Sequence, residues 1–172
     1  TREKVIRLIR EFQPDVIITH RPNDYHPDHR RTGILVQDAS YLIRVPNICP
    51  ETPALTGSPI ILYAADSFRK PIPFQPDIVL SIDDVLEEKT ALLHCHESQI
   101  YEWLPWIGGY EDQLPAEIGK RKEWLHERLL KRWSDPGSRF RDALIARYGQ
   151  EKGQAVRCVE AFEVSEYGRG LP

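Results

Sequence analysis

One stretch near the N-terminus decides the fold: Pro14-Asp-Val-Ile-Ile-Thr-His20-Arg-Pro-Asn-Asp24-Tyr-His26-Pro-Asp28-His29. Its first part is a continuous apolar run, which is typical of strands covered on both faces in a parallel sheet. The run leads directly into a loop that carries three histidines and two aspartates within ten positions. Because open α/β sheets form their sites beyond the carboxyl ends of strands, this loop is the first candidate site.

The rest of the chain shows helix-forming and strand-forming patterns in alternation. Helices are expected over residues 2–13, 27–44, 83–99, 115–134 and 139–148. Strands are expected over residues 15–20, 60–64, 77–82 and 155–164. A break is expected at 135–137, and the aromatic, glycine-bearing segment 101–109 indicates a loop. This alternation predicts a single α/β domain over residues 1–172, with a mainly parallel sheet whose first strand lies upstream of the opening helix.

Composition and charge exclude several classes of protein. A net charge of −3 and a pI near 6.1 argue against general attraction to nucleic acid or to an anionic membrane. The sequence has no apolar run of about 18 residues and no visible secretory leader. Three cysteines without a Cys-x-x-Cys pair predict reduced thiols in a cytoplasmic protein. Cys95 lies between two histidines, but a small buried hydrophobe is its expected role.

The loop has the chemistry of a metal or acid–base site. Pro27 suits the first position of a helix, and Asp28 in the first turn is favoured by the helix dipole. A catalytic zinc needs about three protein ligands and an open position, and this loop can supply one or two of them. Asp28 could orient an imidazole through a hydrogen bond. The alternative is a polar surface loop whose histidines cap a helix; the site is favoured because strand, loop, proline and helix are in register.

Three segments together resemble a known family. Residues 14–29 are similar to the second signature of the PIG-L/LmbE-like family of zinc-dependent N-acetylglucosaminyl deacetylases, a P-D-V-V/I strand followed by H-P-D-H. Residues 89–99 are similar to its K-x-x-A-L-x-x-H-x-S-Q helix, and residues 160–162 to its terminal E-A-F strand. The matches occur in the order of the family and span most of the chain.

The resemblance implies a Rossmann-like three-layer fold and a Zn2+ site. It implies that His29 is a metal ligand, that His26 is a general acid that also stabilises an oxyanion, and that Asp28 orients His26. Asp24 and Tyr25 could contact a sugar hydroxyl, although turn-forming and packing roles are open for both. In the family, two further zinc ligands and a general base come from an upstream A-H-P-D-D motif, which this sequence does not contain. We therefore expect a C-terminal portion of the family domain, without its N-terminal strands and inactive alone.

The expected function is that of a zinc-dependent hydrolase, which removes an N-acetyl group from an amino sugar or a related glycoside. Its partners would be a small amino-sugar substrate and possible further copies of the chain, with no nucleic acid and no membrane. One alternative is a non-catalytic relative that binds a carbohydrate or a protein partner through the aromatic segment. A second alternative is a nucleic-acid module that uses the basic residues of 119–147, but interspersed acidic residues favour a solvated helix face.

Two further groups of side chains have alternative roles. His94 and His96 are two residues apart, so on a helix they face different directions and cannot both address one site. Packing or a bond to a neighbouring loop is the expected role for one of them. Trp103 and Trp106 could stack on a sugar face, although a core position or a subunit contact is slightly favoured for such aromatic clusters.

Overall fold

A computed structural model describes residues 1–134 and 139–172 of the chain. The helices are α1 (Arg2–Phe12), α2 (Pro27–Leu42), α3 (Leu86–His94), α4 (Leu104–Gly108), α5 (Arg121–Arg139), α6 (Arg141–Tyr148) and α7 (Gln150–Ala155). The strands are β1 (Val16–Thr19), β2 (Ile60–Ala64), β3 (Ile78–Ser81) and β4 (Val159–Val164). Contacts divide the chain into two compact units: residues 1–78 with 161–172 form unit 1, and residues 79–160 form unit 2.

The four strands form one sheet in the order β1-β2-β4-β3. β1 and β2 are parallel, with Val16 opposite Ile60, whereas β2 and β4 are antiparallel, with Leu62 opposite Val164. β1 therefore lies at one edge of the sheet. Its register places Thr19, the last residue of the strand, beside Tyr63.

β3 also runs against β4. The Asp77 N–H donates to the Phe162 carbonyl and the Ile82 N–H donates to the Cys158 carbonyl, so residue numbers rise along one strand while they fall along the other. The mixed α/β class agrees with the sequence pattern, but the expected mainly parallel sheet is not found, because the final strand inserts antiparallel to both neighbours. An apolar run indicates that a strand is covered and does not encode its direction.

The core of unit 1 joins α1 to α2. Buried Ile6 and Ile9 on one face of α1 pack against Ala39 of α2 and against Ile43, which follows α2, as their helical spacing predicts. α1 ends at Gln13, which has a left-handed backbone (φ 51°), directly before Pro14. The predicted helix over 2–13 and the strand that follows it are therefore confirmed to within about one residue.

Arg10 is a buried cation in unit 1 that makes no ion pair with a described residue. Its guanidinium donates to backbone carbonyls of Leu42, Ile43, Val45, Ile48, Cys49 and Thr52. The last carbonyls of a helix have no intrahelical partner and carry the negative end of its dipole. Arg10 satisfies the end of α2 together with the loop that follows it.

The first half of unit 2 differs from one expectation. Its Asp83 carboxylate accepts hydrogen bonds from the Arg157 and Cys158 N–H groups. The predicted loop 101–109 is helical, with a π-helix (Ser98–Trp103) followed by α4. Pro105 lies in the first turn of α4, where proline is tolerated, and Gly109 ends the helix in a left-handed conformation (φ 64°).

Two remaining observations concern the whole chain. The break expected at 135–137 lies outside the described residues. None of the helices in the part of the chain that the structure describes combines the length and the apolar character that crossing a membrane requires.

Candidate metal and acid–base site

β1 and α2 hold the polar loop between them at the carboxyl end of the strand. His26 is the N-cap of α2, and its Nδ1 accepts a hydrogen bond of 3.2 Å from the Asp28 N–H. Gly33 lets α2 approach the loop closely, because a Cβ at this position would lie 2.4 Å from the His20 carbonyl oxygen. α2 therefore restricts the backbone of His20 through the close approach at Gly33, and it restricts the ring of His26 through the Asp28 N–H.

The rings of three histidines meet in this loop. His20 and His29 are stacked, with ring centroids 3.9 Å apart and planes within 3°. The His26 ring lies 4.9 Å from His29, measured between centroids. Asp24 is the carboxylate of the cluster: its Oδ1 lies 2.9 Å from His29 Nδ1 and accepts from the His26 N–H at 2.8 Å.

The two aspartates of the loop lie in different surroundings. Asp24 is only 9% exposed and its Oδ1 is bonded to His29 Nδ1; its contact with a sugar hydroxyl remains a prediction. The Asp28 carboxylate is 88% exposed and lies 3.9 Å from His26 Nδ1, beyond hydrogen-bond distance. Asp28 reaches His26 through its backbone N–H. Tyr25 is exposed, with its ring edge-on to His26 and His29.

Two arginines hold the backbone of this loop. Arg21 is buried, pairs with Asp66 at 2.9 Å and lies 3.6 Å from Glu163, and donates to the Ile72 carbonyl. Arg30 donates to the backbone carbonyls of residues 24 and 25, both at 2.8 Å. The sequence analysis did not identify either residue, because an arginine beside a histidine-rich loop looks the same whether it is solvated or buried.

The donor set fits a divalent metal. His20, Asp24 and His29 each offer one ligand atom, and these atoms lie within 4.8 Å of one another. Imidazoles and carboxylates are ligand types that a catalytic zinc uses, and with Asp24 bonded to His29 Nδ1 the imidazoles of His20 and His29 remain to bind the cation. Burial, followed by the nearby His29, lowers the pKa of His20, and a neutral imidazole has the free lone pair that a cation needs. The sequence analysis assigned no role to His20, although it directly follows β1.

The other two motif segments meet in unit 2. Lys89 forms an ion pair with Glu160, and its ammonium lies 4.6 Å from the centre of the Trp133 ring. This contact joins the start of α3 to β4 and gives both residues a positioning role. A structural role therefore accounts for the Lys and Glu positions of the two motifs.

The two histidines beside Cys95 lie outside the loop cluster. His94 Nδ1 lies 2.7 Å from the Tyr101 hydroxyl, so it bonds a neighbouring segment, as predicted. Burial raises the pKa of Tyr101, which therefore stays protonated. His96 is exposed. Cys95 is exposed as well, which corrects the expected buried position, because it follows the last turn of α3.

Comparison with protein families connects this site to known proteins. The family model described as PIG-L, GlcNAc-PI de-N-acetylase, matches residues 1–40, which include the whole histidine cluster. The resemblance to the PIG-L family is confirmed. A diacetylchitobiose deacetylase from Thermococcus kodakarensis is 27% identical over 114 residues. The match covers 62% of this chain and 42% of that deacetylase, so the chain spans less than half the relative's length.

Three solved structures share the fold of this chain. GalB, a 4-carboxy-2-hydroxymuconate hydratase from Pseudomonas putida, has a TM-score of 0.62 at 17% identity, over 99% of this chain and 60% of its own. An N,N'-diacetylchitobiose deacetylase from Pyrococcus horikoshii has a TM-score of 0.57 at 20% identity, and the match covers 96% of this chain and 51% of that protein. A conserved protein from Thermus thermophilus has a TM-score of 0.56 at 17% identity, and the match covers 99% of this chain and 60% of that protein. At these identities the likeness shows the fold, and one fold hosts different chemistries.

Proposed function

We propose that this protein is a zinc-dependent deacetylase that hydrolyses the N-acetyl group of an amino sugar or a related glycoside. The observation that carries this proposal is the cluster of His20, Asp24, His26 and His29 at the carboxyl end of β1. The diacetylchitobiose deacetylase to which the chain is similar supports this choice of substrate class. We further propose a cytoplasmic location and a small-molecule substrate.

His29 is the proposed metal ligand. Its Nδ1 is engaged by Asp24, which leaves Nε2 for a cation. A carboxylate on the second ring nitrogen fixes the tautomer and orients a metal-bound histidine. His20, stacked on His29, offers a second imidazole to the same cation. A zinc ion held there would supply an acidic bound water and polarise an amide carbonyl.

His26 is the proposed general acid. Because Nδ1 of His26 accepts a hydrogen bond from the Asp28 N–H, the neutral ring carries its proton on Nε2. That N–H can donate to an oxyanion that forms on the amide carbonyl, and a proton at the same atom can pass to the departing amine. Tyr25, exposed beside both rings, is proposed to contact a sugar hydroxyl. The family's general base belongs to the A-H-P-D-D motif, so we propose that these 172 residues alone hydrolyse little substrate.

The test is hydrolysis of N,N'-diacetylchitobiose by the intact protein, followed as released acetate. His26→Ala should lower turnover by about 10²-fold or more, the scale for losing a general acid or an oxyanion donor, while bound zinc is retained. His96→Ala is the matched control, because it removes an exposed histidine outside the cluster and should change neither quantity. Unchanged turnover in His26→Ala would contradict the assignment.

A non-catalytic carbohydrate-binding relative is the second candidate function. The observation that favours it is the exposed position of Trp103 and Trp106, which the sequence analysis considered as a sugar-stacking pair. Saccharide binding without acetate release by the intact protein would select this alternative.

A further inference from the structure

Unit 2 contains an open cleft formed by its π-helix and α4. The cleft has a volume of about 690 Å³ and is lined by Gln99, Glu102, Trp103, Trp106 and Glu111, among others. The two indole rings lie with their centroids 5.3 Å apart and their planes inclined by 36°. Trp103 is 49% exposed and Trp106 is 59% exposed, so the rings present large apolar surfaces to the cleft.

The tryptophans are held outside the core by the packing of their neighbour. Tyr101 is buried with Leu125 and Leu129, and its hydroxyl is bonded to His94. This anchor fixes one side of the π-helix and leaves Trp103 and Trp106 on the surface. Contiguous exposed aromatic surface with a polar rim is typical of a binding site.

The cleft is acidic as well as aromatic. Residues 90–119 contain five Asp or Glu residues and no Lys or Arg. Glu102 and Glu111 line the cleft, and neither forms an ion pair with any residue in the described ranges. The nearby Arg128 is engaged elsewhere, with its guanidinium 4.0 Å from the centre of the Tyr110 ring and a hydrogen bond to Gln113.

We propose that this cleft binds an oligosaccharide that contains glucosamine units with free amines. Sugar rings would stack on Trp103 and Trp106, ammonium groups would pair with Glu102 and Glu111, and Gln99 would bond to hydroxyls. The choice of an amino sugar rests on the proposed function, since hydrolysis of an acetamide leaves acetate and an amine that is protonated at neutral pH. A partner with an apolar docking surface fits less well, because it would bury two carboxylates without a cation.

Calorimetric titration of the intact protein with a glucosamine tetramer tests this inference. We expect saturable binding that weakens with added salt, as pairing between exposed charges requires. Trp106→Ala should weaken binding by about tenfold, and Glu111→Gln by about twofold to fivefold. Tyr41→Ala removes an exposed aromatic ring on α2, outside the cleft, and should leave binding unchanged.

Two control tetramers and a separate measurement of acetate release complete the test. The tetramer of N-acetylglucosamine and the neutral tetramer of glucose should bind at least about fivefold more weakly than the glucosamine tetramer. Equal affinity for all three, or full binding by Trp106→Ala, would overturn the inference. The deacetylase proposal is scored separately by acetate release, because Trp106→Ala leaves the histidine cluster intact. Wild-type protein that releases acetate but does not bind the glucosamine tetramer would refute the cleft alone, and wild-type protein that binds the tetramer but releases no acetate would refute only the deacetylase.

Discussion

At the residue scale, Asp24 and Asp28 have the same chemistry and different surroundings. Asp24 is buried against His29, whereas the Asp28 carboxylate points into solvent. Asp24→Asn should weaken zinc binding by about 10–100-fold, because the carboxylate that orients a metal-bound histidine is lost. Asp28→Asn is the matched control and should bind zinc normally, since its backbone N–H still bonds His26. Competition with a chelator of known affinity measures both; a larger effect of Asp28→Asn would refute the proposed role of Asp24.

The loop sequence predicted the position of the site but not the pairing within it. His26 and His29 could be singled out because Pro27 places them at a helix start. The choice between Asp24 and Asp28 depends on how the chain turns after His20, which rests on the buried Arg21 and on the close approach at Gly33. Both are long-range contacts that a local motif does not encode.

Arg10 provides a second test at this scale. Arg10→Met should reduce the free energy of unfolding by about 3 kcal/mol or more, because buried carbonyls at the end of α2 lose their donors. Arg7→Met on the same helix is the control, since Arg7 is exposed and pairs with surface glutamates. Urea unfolding followed by circular dichroism gives both values. Equal losses of unfolding free energy in the two variants would show that the hydrogen bonds from Arg10 to the backbone carbonyls add no specific stability.

At the element scale, β1 and α1 each carry exposed apolar side chains. β1 is an edge strand, and Ile18 is 58% exposed. Phe12 of α1 is also exposed. Unpaired strand edges and apolar surface promote association between chains.

We therefore predict that the 172-residue chain self-associates and that Ile18→Lys reduces this association. A charge on an edge strand disfavours edge-to-edge pairing and removes apolar contact area. Sedimentation velocity across a range of concentrations measures the change, with Ile118→Lys as the control because Ile118 is an exposed isoleucine of unit 2. A chain that stays monomeric at all concentrations would contradict the prediction.

Elements with strong local patterns were predicted well, and elements defined by partners were not. The strand over 60–64 and the helix that begins at Pro27 have the predicted starts. The direction of β4 depends on its neighbours in the sheet, and its predicted start at 155 was too early because α7 extends to that residue. Segment 101–109 contains proline and glycine, which indicated a loop. Proline is nevertheless tolerated in the first turn of a short helix, and glycine can end one.

At the scale of the whole molecule, the chemistry is divided between two compact units. The histidine cluster lies entirely in unit 1, and the aromatic cleft lies entirely in unit 2. The contact between Lys89 and Glu160 is internal to unit 2, so these two motif residues stabilise one unit. The single domain expected from the sequence remains a prediction.

The most direct test of the central claim is the zinc content of the purified intact protein, measured by mass spectrometry after dialysis against a weak chelator. We expect about one zinc per chain in the wild type and in His96→Ala, and almost none in His29→Ala. Zinc retained at the wild-type level in folded His29→Ala protein would contradict the proposed metal site.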